Sequence, residues 1–145
     1  MKEVLFLGNE GRIKVELVIQ GDALVAYSMR LWKAERPNLQ LMEEMRGSCI
    51  DASINNFYID SQVSLQESTH YVVELGANIN TTLGKANYAV QLVFSQLNED
   101  GNRIFLGVEE VSGHIGFENG GKYKSMGVAL KSEISQKANF PVSAA

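Results

Sequence analysis

The chain has one cysteine, Cys49, two histidines, His70 and His114, two prolines, Pro37 and Pro141, and one tryptophan, Trp32. Each scarcity narrows the field. A lone cysteine forms no internal disulfide and gives no sign of an oxidising compartment; Cys49 reads most simply as a small buried side chain. Two isolated histidines provide no close ligand pair such as H-x-H, C-x-x-C or H-E-x-x-H, so no metal and no cofactor is expected. Basic residues number 13 against 17 acidic ones, for a net charge of −4. That balance argues against sequence-independent nucleic-acid binding, which needs a concentrated basic face. Apolar runs such as Tyr88–Phe94 fall far short of a membrane span, and no membrane insertion is expected. The opening Met1–Gly8 lacks the charged-then-apolar pattern of a secretory signal, so a cytoplasmic location is expected, with export that needs no cleaved signal left open.

Catalytic motifs are missing as well. There is no G-x-S-x-G elbow and no Rossmann glycine fingerprint. Gly84-Lys85 is followed by Ala86 where a phosphate loop needs Ser or Thr, and its earlier glycine position holds Ile79. The carboxylate pairs Glu43-Glu44, Glu99-Asp100 and Glu109-Glu110 are adjacent in sequence, and on a strand adjacent side chains point to opposite faces. Asn98–Asn102 is rich in oxygen but lacks the ligand alternation of a calcium loop, and reads as a solvated turn. Asn80-Thr81-Thr82 matches a glycosylation sequon by chance. An enzyme would need His70 or His114 beside a carboxylate, Cys49 or a serine, and nothing in the spacing provides that.

What the chain does have is alternation at period two. Ile13, Val15, Leu17 and Ile19 share one face; so do Val25, Tyr27, Met29 and Leu31, and Tyr88, Val90, Leu92 and Phe94. Further strands are expected over Glu3–Leu7, Ser53–Ile59, His70–Ala77, Arg103–Val111, His114–Phe117 and Lys124–Lys131, the last with Met126, Val128 and Leu130 inward. One dry and one wet face per strand is the mark of antiparallel sheets. The expected fold is an antiparallel β-sandwich (jelly-roll or immunoglobulin-like) of about eight strands, with a closed barrel as second choice. It spans residues 1–134 as a single domain, and 135–145 form a C-terminal tail or edge segment.

Register follows from matching faces. A first hairpin would set Leu5 and Leu7 against Val15 and Ile13 around Asn9-Glu10-Gly11. A second would set Leu17 against Tyr27 and Val15 against Met29 around Gly21-Asp22-Ala23. A third would set Phe94 against Leu106 and Leu92 against Val108 around Glu99-Asp100-Gly101. A bulge near Ser112-Gly113 would explain the switch from even to odd apolar positions. Between Asn38 and Gly47 a short helix is expected, with Asn38 and Gly47 as caps and Leu41, Met42 and Met45 on one side; a strand is the competing reading.

With catalysis unsupported, a non-enzymatic protein-interaction or assembly module is expected, docking a protein partner or copies of itself. Arg30, Lys33 and Arg36 flank Trp32 and suit an acidic partner; Phe140 and Val142 suit strand addition along an exposed edge. The alternative is a sandwich that binds carbohydrate or another small ligand, for which Trp32, Tyr58 and Tyr71 are the candidate aromatics.

Overall fold

In the computed structural model, which describes residues 1–8, 11–35, 37–48, 56–59, 69–81, 84–116 and 121–132, the alternating residues converge on one core. Ile13, Val15 and Leu17, then Val25 to Leu31 at every second position, Tyr88 to Phe94 likewise, and Met126, Val128 and Leu130 are all buried; Ile19 is partly so. Each large side chain taken fully from water contributes about 1.5–3 kcal/mol, so period-two patterning is enough to decide which face of each strand turns inward.

The described residues form nine strands and no helix: β1 Lys2–Phe6, β2 Ile13–Gly21, β3 Leu24–Glu35, β4 Asn38–Ser48, β5 Asn56–Ile59, β6 Thr69–Asn80, β7 Lys85–Leu97, β8 Arg103–Gly116 and β9 Lys122–Ser132. They make two packed sheets, ordered β1-β9-β6-β3-β4 and β5-β2-β7-β8. Every pairing is antiparallel except β1 with β9, which is parallel. This is the expected β-sandwich. Among the described residues no helix is long and apolar enough to cross a membrane. The tail, 135–145, lies outside the described residues.

Five local expectations are corrected. Residues 38–48 are a strand, in register with β3 from Glu35↔Asn38 to Ala26↔Ser48, so backbone pairing prevails over local helix signals. Gly47 is no helix cap; it lies beneath Tyr27. The first hairpin does not form: β1 pairs with β9 and β2 with β5 and β7. Val4 and Phe6, not Leu5, are the inward residues of β1. The second hairpin does not form either, because β2 and β3 belong to different sheets. The third holds near its turn, where Ser95 faces Phe105, Leu97 faces Arg103 and Gly101 takes a φ of 81°. Beyond it the register slips by one, so Phe94 meets Gly107 and Leu92 meets Glu109. The bulge therefore sits at Leu106, while Ser112 and Gly113 stay in the ladder opposite Ala89 and Tyr88.

Two of the sheet-to-sheet crossings, β1 to β2 and β2 to β3, are fastened to β7. Gln96 is buried, and its amide accepts from Leu7 N–H (2.8 Å) and donates to the carbonyls of Leu7 (2.7 Å) and Gly11 (3.0 Å). At the opposite end Asp22 Oδ1 accepts the Asn87 N–H (2.8 Å), and the Asn87 carbonyl accepts from Asp22 and Ala23. Gly21, with φ of 103°, makes the bend. These contacts supply the crossing segments with hydrogen bonds in place of those a hairpin would have given.

Candidate interaction surface on the five-stranded sheet

β4 is the outermost strand of its sheet and pairs, among the described residues, with β3 alone. None of its eleven residues is buried. Its C-terminal half still serves the sandwich: Met45 packs on the core and Gly47 receives the Tyr27 ring. Its N-terminal half is bare, with Leu39 (59%), Leu41 (44%) and Met42 (49%) exposed. Register explains why these side chains gather. The β3–β4 ladder shifts between Leu31 and Trp32, leaving Met42 as an extra residue and placing Leu41 opposite Trp32 and Leu39 opposite Ala34. A half-buried tryptophan, two leucines and a methionine thus adjoin a backbone edge that is paired on one side.

The aromatics singled out from sequence are not brought together. Trp32 lies on the outer face of the five-stranded sheet, in register with Val72. Tyr58, half exposed, lies on the outer face of the other sheet, between the buried Phe57 and Ile59. Tyr71 is buried on the inner side, opposite Lys33. No shared stacking platform joins the three.

The basic residues are engaged with carboxylates of their own chain. Arg30 lies between Glu44 (3.5 Å) and Glu74 (3.6 Å), and Arg46 Nε donates to Glu44 (2.8 Å). Lys33 bonds Glu35 at 3.0 Å, and that hydrogen bond and charge raise its pKa above the ordinary lysine value. Across β1 and β9, the hydrogen bond from Lys131 to Glu3 (2.6 Å), aided by its charge, holds the Glu3 carboxyl below the usual carboxylate range. Arg36, Phe140 and Val142 lie outside the described residues.

His70 and His114 sit on different sheets, both on outer faces, so they cannot share a metal or a nucleophile. His114 Nδ1 is 2.9 Å from Asn87 Oδ1. Cys49 lies outside the described residues, and among the described residues no cluster of His, Cys, Asp and Glu is arranged to hold a metal ion. In the turn at 98–102, Asn98 Oδ1 accepts the N–H groups of Asp100 (3.0 Å) and Asn102 (2.8 Å), so its oxygen shapes the turn itself. Glu109 and Glu110 take opposite faces of β8, with Glu110 accepting from Gln91 (2.7 Å).

Sequence reasoning passed over Leu39 and Leu41 as features of an outer surface, because a helix would have turned Leu41 and Met42 inward. It also passed over Tyr123, whose odd position beside the inward Met126, Val128 and Leu130 was a readable sign of exposure. Compared with protein-family models, with curated proteins and with solved structures, the chain shows no match.

Proposed function

We propose that this chain is a non-enzymatic protein-interaction or assembly module, which receives an extended strand of a protein partner, a second copy of itself included, along the outer edge of β4. One observation carries the reading: eleven consecutive residues form a strand that is nowhere buried and is paired, among the described residues, on one side only. Strand addition draws affinity from such an edge through main-chain hydrogen bonds and specificity from alternate side chains. Here the alternate side chains are Leu39 and Leu41, with Trp32 behind them on β3. A long uncovered edge is otherwise a liability that proteins blunt or cover. The charges at Glu43, Glu44 and Arg46 guard the half of β4 nearer the core and leave the apolar half open.

Sedimentation velocity at rising protein concentration, with affinity capture as a second arm, tests this. The native chain associates with itself or with a captured protein, and Leu41→Asp abolishes that association. The fold survives, since an exposed substitution of this kind changes stability by about 0.5 kcal/mol or less. Phe105→Asp, on the edge strand of the other sheet, leaves association unchanged. A strict monomer that captures nothing, or an association indifferent to Leu41→Asp, contradicts the proposal.

A further inference from the structure

The outer face of the five-stranded sheet carries a second feature, separate from the apolar end of β4. Ser28 on β3 faces Gly76 on β6, and Gly76 faces Ser125 on β9, so three neighbouring strands present one row of minimal side chains. The rows on either side are long: Tyr123 and Asn78 on one, Arg30 and Glu74 on the other. The flanking rows are four residues apart along β6, about 13 Å. The result is a trench of about 440 Å³. That volume falls within the range of small-ligand sites, about 300–1,000 Å³.

Its furnishing is specific. Tyr123 is 65% exposed yet leans diagonally over the trench floor, where a Cβ on Gly76 would come within 2.5 Å of the phenol oxygen. The phenol tip thus reaches over Gly76 while most of the ring stays open to solvent. In the floor, Ser28 Oγ is shielded from solvent and has no hydrogen-bond partner among the described residues. An unmatched buried polar group is costly, and a ligand hydroxyl that displaced the groups shielding Ser28 would relieve that cost. Asn78 is exposed at the rim, and the Arg46 side chain, 73% exposed, closes the β4 end. Charge is balanced: Arg30 and Arg46 are matched by Glu44 and Glu74. A phosphate or carboxylate ligand would have to displace those pairs.

We infer that this trench binds a neutral pyranose, stacked on Tyr123 and hydrogen-bonded by Ser28, Asn78 and Arg46. A sugar ring combines an apolar face for the phenol ring with hydroxyls for the amide, hydroxyl and guanidinium groups, which is the mixture the trench offers. The site is distinct from the apolar end of β4 at Leu39 and Leu41, and the two fail separately.

Saturation-transfer NMR and titration calorimetry test it on the full chain, using methyl pyranosides of glucose, galactose, mannose and N-acetylglucosamine, and oligosaccharides ending in each. At least one sugar receives saturation. Tighter binding of the oligosaccharide than of its terminal methyl pyranoside assigns the site to glycan ends, and equal binding assigns it to free sugar. Tyr123→Ala weakens binding at least tenfold, Ser28→Ala weakens it severalfold, and Leu41→Asp leaves it unchanged. Gly76→Val fills the trench floor and abolishes binding; circular dichroism and thermal melting confirm that this variant is folded, and Tyr123→Ala provides the independent arm if it is not. No saturation of any sugar, or binding that persists in Tyr123→Ala, overturns the inference.

Discussion

The two long edge strands, β4 and β8, are built with the same devices and differ in their cover. Each carries one extra residue at a ladder shift, Met42 on β4 and Leu106 on β8. Each places a glutamate in register with a buried leucine of its neighbour, Glu43 with Leu31 and Glu109 with Leu92. Each also offers a glycine to a core tyrosine from the strand beside it: Tyr27 lies over Gly47, and Tyr88 over Gly113. The difference is cover. β8 touches β1 and β9 of the facing sheet, where Gly107 admits the Val4 side chain, and Ile115 is fully buried. Among the described residues, β4 makes its substantial contacts with β3 alone. Bulges and inward charges protect edges in general; among the described residues one edge is also covered by its neighbours, and the other is not.

Tyrosine truncations give the largest effect and show what the two edges share. Tyr27 and Tyr88 are 5% and 4% exposed, and each fills the space above an edge glycine. Tyr27→Ala and Tyr88→Ala should each cost about 3–5 kcal/mol in urea unfolding, as for other large aromatic deletions. A cost below about 1 kcal/mol for either would mean that its ring does not join edge to core.

The glycine substitutions are smaller and separate the edges. A Cβ at Gly113 would come within 2.7 Å of the Tyr88 hydroxyl, and one at Gly47 within 2.5 Å of the Tyr27 hydroxyl. Overpacking of this kind costs about 1–3 kcal/mol where surroundings are rigid. Gly113→Ala should fall in that range, because β8 is hemmed in by β1 and β9. Gly47→Ala should cost about 1 kcal/mol or less, because β4 is free to shift outward. Equal costs would break the contrast between a closed edge and an open one.

Much of the core could be read from the chain, and the reason lies in the period of the strand. Val25, Tyr27, Met29 and Leu31 are inward because a strand has two faces and water decides between them. The same rule is blind to which strand pairs with which. The inward faces of β2 and β3 meet the same core whether the strands lie side by side in one sheet or opposite each other in two, so matching Leu17 to Tyr27 suggested a hairpin where the chain crosses over. The ties that hold the crossings, Gln96 to Leu7 and Asp22 to Asn87, join residues 89 and 65 positions apart and have no local signature. β4 was hidden for a different reason. Its N-terminal half buries neither face and has no need to alternate, so Leu39, Leu41 and Met42 fall into a spacing that also suits a helix. The trench was hidden because it is made of what three strands lack, the side chain at Gly76 and the bulk at Ser28 and Ser125.

If the outer edge of β4 is a docking edge, its outward amides are unbonded in the isolated chain and bonded in the complex. Residue-resolved hydrogen exchange, measured on the dilute chain and on the associated one, tests this directly. In the dilute chain the β4 amides that point away from β3 should exchange nearly as fast as in an unfolded peptide. On association they should slow by at least about tenfold, through the new main-chain hydrogen bonds, with β8 unchanged. If those amides stay fast in the associated form, or if new protection appears along β8 instead, the edge of β4 is not where this protein meets its partner.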